Sequence, residues 1–113
     1  MLLAIDAGNT NTVFAVYDGE ERKGLWRAAT DTRRTADEHY VWLSQVMAVE
    51  GVERSDINSA IISTVVPASL FNLTRLCTRY FDVEALVVGE PSVDLGITVL
   101  LDNPNEVGAD RLV

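Results

Sequence analysis

Residues 1–17 read Met-Leu-Leu-Ala-Ile-Asp-Ala-Gly-Asn-Thr-Asn-Thr-Val-Phe-Ala-Val-Tyr. The apolar run Leu2 to Ile5 is typical of a short buried strand, and it leads into a turn with a carboxylate, a glycine and a hydroxyl group. Thr12 to Tyr17 and Lys23 to Ala29 have the composition of the next two strands. Because the short turn Asp18-Gly19-Glu20 joins them, the pattern predicts an antiparallel three-strand meander.

A capped helix follows the predicted meander. Thr35 and Glu38 have the spacing of a capping box, in which each side chain accepts a hydrogen bond from the other residue's backbone amide. Gly51 stands where the C-terminal cap of this helix is expected. His39, the single histidine, lies beside the apolar face and is interpreted as a surface or packing residue rather than a catalytic one. That face consists of Ala36, Tyr40, Leu43 and Met47.

The sequence pattern of residues 59–88 predicts two buried strands with a helix between them. Ser59 to Val66 and Val83 to Val88 are apolar runs of this kind, and Pro67 suits the first turn of the intervening helix. The buried stripe of that helix consists of Leu70, Leu73, Leu76, Cys77 and Tyr80. A meander followed by right-handed crossovers gives an α/β fold, a mixed five-stranded sheet with flanking helices.

Composition limits the classes of partner. The chain has 113 residues, of which 48% are hydrophobic, enough for one modest packed domain. A formal net charge of -8 argues against a surface for nucleic acid or anionic membrane. No apolar stretch approaches the roughly 18 residues of a membrane span. Cys77 is the single cysteine, which suits a reducing cytoplasm and a packing role in the core.

The turn after the first predicted strand has the groups that a metal and a phosphate need. Asp6 can hold a hydrated divalent cation through hard oxygen contacts. Gly8 lets the backbone approach a phosphate, and the amides of Gly8 to Asn11 can donate to its oxygens. The hydroxyls of Thr10 and Thr12 can donate as well. An ordinary hairpin turn explains the same composition, although the position at the carboxyl end of a strand favours a ligand site.

A second polar group lies further along the chain. Residues 103–111 read Asn-Pro-Asn-Glu-Val-Gly-Ala-Asp-Arg, and Glu106 to Arg111 is typical of the first turn of a helix, which attracts anions. Asp110 can orient an attacking hydroxyl as a general base, and Arg111 can bind a carboxylate or phosphate in fork geometry. The preference of acidic residues for first helical turns is an alternative explanation. Together with Asp6, this group suggests phosphoryl transfer, which depends mainly on positioning and charge neutralisation.

Three motifs, in this order, resemble those of the type III pantothenate kinases. They are Asp6-Ala7-Gly8-Asn9-Thr10-Asn11-Thr12, then Ser63-Thr64-Val65-Val66-Pro67, then Asn103-Pro104 with Glu106-Val107-Gly108-Ala109-Asp110-Arg111. The resemblance covers essentially the whole chain. It implies a ribonuclease H-like (actin-like ATPase) fold of two duplicated domains. It also implies ATP-dependent phosphorylation of pantothenate at its terminal hydroxyl, the first step of coenzyme A synthesis.

The resemblance further implies roles for individual residues. The ATP phosphate loop would consist of Asp6, Ala7, Gly8, Asn9, Thr10, Asn11, Thr12 and Val13. Pantothenate would be contacted by Gly108, Ala109, Asp110 and Arg111, with Asp110 as proton acceptor. Leu101 stands where the family often has a substrate-contacting tyrosine, so an apolar contact is kept without the phenol hydrogen bond. The implied cofactors are ATP, Mg²⁺ or another divalent cation, and K⁺ or NH₄⁺; the implied assembly is a cytoplasmic homodimer.

The resemblance also sets an expectation for domain organisation. Family members are roughly twice as long as this chain, which corresponds to about two domains. Residues 1–113 are therefore expected to be the N-terminal ribonuclease H-like domain, ending just inside the start of the second half, and to be inactive alone because half of the ATP cleft would be absent. Two alternatives stay open: a non-catalytic nucleotide-binding or regulatory protein of the same fold, and a plain folded domain that binds no nucleotide.

Overall fold

The computed structural model describes residues 1–88 of the chain. Five strands form one sheet, in the spatial order β3-β2-β1-β4-β5. The strands are β1 (Leu2–Ala7), β2 (Asn11–Asp18), β3 (Glu21–Ala29), β4 (Ser59–Thr64) and β5 (Leu86–Val88). The helices are α1 (Ala36–Val49) and α2 (Pro67–Tyr80), with a short 3-10 helix at Arg54–Asp56.

The sheet is mixed, as the sequence predicts. β1, β2 and β3 pair antiparallel in chain order, which confirms the meander. β4 pairs parallel to β1, and β5 pairs parallel to β4. Because parallel neighbours need a crossover, α1 and α2 lie in the two long connections. The carboxyl ends of β1 and β4 consequently meet at one edge of the sheet, where Ala7 is opposite Thr64.

Both predicted ends of α1 are confirmed. The Glu38 amide donates to the Thr35 hydroxyl at 3.2 Å, and the Thr35 amide donates to the Glu38 carboxylate at 2.9 Å. At the other end, Gly51 adopts a φ of 76°, a backbone conformation that favours glycine. The Val52 amide donates to the Met47 carbonyl at 3.0 Å, which completes a Schellman motif.

Within residues 1–88, α1 and α2 pack on the same face of the sheet. Leu3, Ile5 and Ala7 share a buried cluster with Leu43 and Leu73 from the two helices. Ala4 instead belongs to a second buried cluster that contains Ala15, Tyr17, Ile61 and Val88. Successive strand residues point to opposite faces, so Asp6 lies on the face of Ala4, away from α1 and α2.

The predicted packing residues of α2 are confirmed. Leu73, Leu76 and Cys77 are buried, and Leu70 and Tyr80 pack against the same core. Burial raises the pKa of the Cys77 thiol to about 12, so the thiolate that would react is not populated at neutral pH. Neither helix in residues 1–88 is long and apolar enough to cross a membrane.

The strand boundaries differ from the prediction by one to three residues. β2 also includes Asn11 and Asp18, and β3 begins at Glu21. The other three differences have a local reason. β1 continues through Asp6 and Ala7, because both residues pair with β2 on one side and β4 on the other. β4 ends at Thr64 rather than Val66, because the Thr64 hydroxyl accepts from the Val66 amide at 2.8 Å and forms a local turn. β5 begins at Leu86 rather than Val83, since the Val83 amide donates to the Cys77 carbonyl in the last turn of α2.

Candidate nucleotide-phosphate site

The turn between β1 and β2 presents backbone amides at the carboxyl edge of the sheet. The Gly8 amide donates to the Asn11 carbonyl at 2.9 Å and closes the turn. Asn9 and Thr10, at its tip, are exposed. Within residues 1–88 neither of their amides donates a hydrogen bond to the protein. Exposed amides in a turn of this kind form a concave site for an anion such as a phosphate.

Thr30, the residue after β3, makes two hydrogen bonds to this turn. Its amide donates to the Thr10 carbonyl at 2.8 Å, and its hydroxyl donates to the Gly8 carbonyl at 2.7 Å. The Thr12 and Thr30 hydroxyl oxygens are 3.0 Å apart. The sequence interpretation missed Thr30. The available signal was the meander itself, because its antiparallel register places Ala29 opposite Asn11 and so brings the end of β3 to the first turn.

Asp6 is part of β1 rather than of the turn. The residue is 1% exposed, and its strand neighbours are Val13 on β2 and Ser63 on β4. No group of three or more His, Cys, Asp or Glu side chains in residues 1–88 is arranged to hold a metal ion. A single carboxylate suits a hydrated divalent cation that takes its other ligands from water and phosphate oxygens.

Asp6 and Thr12, both predicted to contact the nucleotide phosphates, lie on opposite faces of the sheet. Thr12 alternates with Phe14 and Val16, which face the helices, so its side chain lies on the helix face. Asp6 faces the opposite side. Thr12 is also buried, at 3% exposure, and lines a narrow cleft with His39 and Ser69. The hydroxyls of Thr10 and Thr12 therefore do not occupy equivalent positions, because Thr10 is exposed at the tip of the turn.

His39 is buried beneath the same end of the sheet. Its ring centroid is 5.9 Å from that of Phe14, and within residues 1–88 its Nδ1 atom has no hydrogen-bond partner. Burial, with a smaller contribution from the Arg34 charge, lowers the pKa of His39 to about 4. The ring is therefore neutral at pH 7, which supports the packing interpretation.

The second predicted group lies outside the described residues. It contains Gly108, Ala109, Asp110 and Arg111, and Leu101, the other predicted substrate contact, also lies outside them. Val13, by contrast, is a buried residue of β2 beside Asp6, and Ala7 is a buried residue of β1. Of the predicted site, the structure thus brings together the β1 end, the turn and the start of β2.

The architecture is that of the ribonuclease H-like (actin-like) fold. A Porphyromonas gingivalis protein solved under the name N-acetylglucosamine kinase superposes with a TM-score of 0.54 at 17% sequence identity. The superposition covers 77% of this chain and 34% of that one. At this identity the similarity concerns the fold, and it confirms the fold class that the sequence predicts.

Sequence comparison identifies the family within that class. The chain belongs to the type III pantothenate kinase family, whose model matches residues 2–113. It is 65% identical to the type III pantothenate kinase of Rhodospirillum rubrum, 64% identical to that of Paramagnetospirillum magneticum and 58% identical to that of Maricaulis maris, each over 113 residues. The matches cover the whole chain but only 44% of each of these relatives. The family predicted from the three motifs is confirmed.

Proposed function

We propose that the protein carrying this chain phosphorylates pantothenate at its terminal hydroxyl with ATP as donor. The observation that carries the proposal is the turn of exposed amides beside Asp6, in a chain that matches the type III pantothenate kinase family from residue 2 to residue 113. The product would be 4'-phosphopantothenate, the first intermediate of coenzyme A synthesis. The net charge of -8 is compatible with this function, because backbone amides and a cation supply the local positive field.

In this proposal the described residues bind and orient the phosphates of ATP. The amides of Asn9 and Thr10 donate to phosphate oxygens, and the exposed Thr10 hydroxyl adds a donor. Asp6 would hold Mg²⁺ or another divalent cation, which when bound neutralises phosphate charge during transfer. Asp6 is buried in β1 and paired on both sides, which fixes its backbone relative to the turn.

The acceptor side of the proposed site comes from the second group. Asp110 would accept the proton of the pantothenate hydroxyl, and Arg111 would bind the pantothenate carboxylate. Gly108 and Ala109 would contact the substrate through the backbone, with Leu101 as an apolar wall. We further propose a monovalent cation, K⁺ or NH₄⁺, a homodimer and a cytoplasmic location. The similarity to longer family members supports each of these assignments.

Residues 1–113 would form the N-terminal domain and one side of the ATP cleft. The length of the relatives, of which this chain matches 44%, supports a second domain on the other side. A chimera provides a defined test: this chain replaces the matching N-terminal segment of the Rhodospirillum rubrum enzyme. It should consume ATP only when pantothenate is present and yield phosphopantothenate by mass spectrometry. ATP binding without that product would favour a non-catalytic nucleotide-binding protein.

Asp110→Ala in the chimera tests the proposed base. Loss of a general base typically lowers the rate by about 10²- to 10⁴-fold, and kcat should fall within that range while the fold is kept. Circular dichroism and ATP affinity serve as controls for folding and for nucleotide binding. An unchanged kcat would contradict the role of Asp110.

A further inference from the structure

We propose that Thr30 is a positioning residue for the nucleotide phosphates. It does not touch the ligand; it orients the turn that does. The inference rests on the proposed ATP site and adds a residue that lies outside the three family motifs. Thr30 reaches the turn over 22 residues of sequence, so it links the end of the meander to its beginning.

Two hydrogen bonds from one residue fix two peptide planes of the turn. The Thr30 hydroxyl donates to the Gly8 carbonyl at 2.7 Å, and the Thr30 amide donates to the Thr10 carbonyl at 2.8 Å. In a trans peptide the carbonyl of one residue and the amide of the next point in opposite directions. Holding these carbonyls therefore turns the amides of Asn9 and Asn11 away from Thr30.

The bond to Gly8 also changes how the turn is closed. In a two-residue hairpin, the amide of the last residue ordinarily donates to the carbonyl of the first. Within residues 1–88, the Gly8 carbonyl accepts from the Thr30 hydroxyl instead. Among the described residues the Asn11 amide makes no hydrogen bond to the Gly8 carbonyl, and the Thr30 hydroxyl supplies the donor to that carbonyl.

The number of hydroxyl protons decides which of Thr12 and Thr30 is the hydrogen-bond donor. A threonine hydroxyl has one proton, and that of Thr30 is directed to the Gly8 carbonyl. In the 3.0 Å pair of hydroxyls, Thr12 must therefore be the donor and Thr30 the acceptor. The Thr12 proton is then not available to a phosphate, and Thr12 acts through Thr30. This arrangement agrees with the burial of Thr12 on the helix face.

The test compares Thr30→Val with Thr30→Ser in the chimera. Valine keeps the shape and removes the hydroxyl, whereas serine keeps the hydroxyl. Thr78→Val is the matched control, because the Thr78 hydroxyl also donates to a backbone carbonyl, that of Arg75, on the exposed side of α2. The readouts are the Kd of Mg-ATP by calorimetry, the KM values for ATP and pantothenate, and kcat.

Loss of a hydrogen bond that positions a binding group is expected to weaken ATP binding by about fivefold to tenfold. Thr30→Val should raise the Kd and KM for ATP by that factor, with the KM for pantothenate within about twofold of the parent value. Thr30→Ser and Thr78→Val should stay near the parent in every readout. Adding Thr12→Val to Thr30→Val should have little further effect, because the chain of hydroxyls is already broken.

The outcomes separate this inference from the proposed function. If the chimera binds Mg-ATP with the expected variant pattern but forms no phosphopantothenate, the kinase proposal fails and the role of Thr30 stands. If Thr30→Val binds ATP as tightly as the parent, or if the KM values for ATP and pantothenate rise equally, the role of Thr30 is wrong. Absence of ATP binding by the parent chimera would overturn both.

Discussion

The meander contains two turns of similar composition with different surroundings. The first, at Gly8 to Asn11, follows a buried aspartate and has its carbonyls held by Thr30. The second, at Gly19 and Glu20, follows the exposed Asp18. Gly19 adopts a φ of 64°, as hairpin turns require, and within residues 1–88 no hydrogen bond from another element reaches this turn.

The difference shows what separates a binding turn from a connecting one. Both turns have the Asp, Gly and polar residues that short hairpins favour, so composition fits either role. In the second turn the strands need nothing beyond a glycine with positive φ. In the first, the backbone is held by Thr30, the residue after β3, and the amides of Asn9 and Thr10 are left without acceptors among the described residues. Such preorganisation is expected of a ligand site.

The largest predicted contrast concerns the two aspartates. Asp6→Asn in the chimera removes the negative charge that would hold the divalent cation, and kcat/KM for ATP should fall by about 10²-fold or more. Asp18→Asn, at the exposed hairpin, should change it by less than about twofold. Steady-state kinetics at several Mg²⁺ concentrations measures both. Equal effects of the two substitutions on kcat/KM for ATP would contradict the assignment of the first turn, rather than the second, to the nucleotide site.

The next prediction is a pH effect on stability through His39, which lies on α1 beside Thr12 at the end of the sheet that carries the first turn. The pKa of His39 in the folded state, about 4, lies below the ordinary histidine value of 6.5, so the unfolded state takes up the proton first as the pH is lowered. The free energy of unfolding should therefore be highest above pH 6.5 and fall as the pH is lowered towards 4. Between pH 7.5 and 5 the loss should be about 1 to 2 kcal/mol.

His39→Gln provides the control for this pH effect, because glutamine cannot be protonated. Urea unfolding at pH 7.5 and 5 gives the change of the free energy of unfolding with pH for the parent and for the variant. The variant should lack the part of the pH dependence that His39 contributes, whatever its absolute stability. An identical pH dependence of the two free energies of unfolding would show that His39 is not held neutral by burial.

A smaller effect is expected for Gly19→Ala in the second turn. An L-residue with a side chain is strained at the positive φ of Gly19, and the free energy of unfolding should fall by about 1 kcal/mol. The affinity for Mg-ATP should not change, since this turn only connects two strands. Urea denaturation and calorimetry measure the two quantities. A loss of ATP affinity comparable with that of Thr30→Val would place the second turn in the site.

The smallest predicted effect is that of Thr10→Val. The Thr10 hydroxyl is exposed at the tip of the first turn and is proposed to add one donor to the phosphates. Removing it should raise the KM for ATP by about threefold to fivefold, near the net value of one hydrogen bond. Thr78→Val, at an exposed position of α2, is the matched control. An unchanged KM for ATP would leave the backbone amides as the only donors of the turn.

Local rules were sufficient for much of the fold. The capping box of Thr35 and Glu38 and the cap at Gly51 depend on residues a few positions apart, and the structure has both. The stripe of α2 and the meander follow from periodicity and short turns. The strand ends were less predictable, because the ends of β4 and β5 depend on single hydrogen bonds of Thr64 and Val83.

The candidate site depended more on long-range geometry. Asp6, Gly8 and Thr10 could be predicted from type and position alone, whereas the opposite orientations of Asp6 and Thr12 follow from the extension of β1 and the register with β2. Thr30 has no local signal, because a threonine after a strand is unremarkable until the strand order brings it to the first turn. The roles of Leu101 and of Gly108 to Arg111 stay predictions from sequence.

Nuclear magnetic resonance of the ¹⁵N-labelled chimera, titrated with Mg-ATP, tests the central claim most directly. That claim is that the first turn of the meander, and not the second, binds the nucleotide phosphates. The amide signals of Asn9, Thr10 and Asn11 should shift together and saturate, while those of Gly19 and Glu20 stay unchanged. Saturation of ATP binding without any shift at Asn9 to Asn11 would contradict the account.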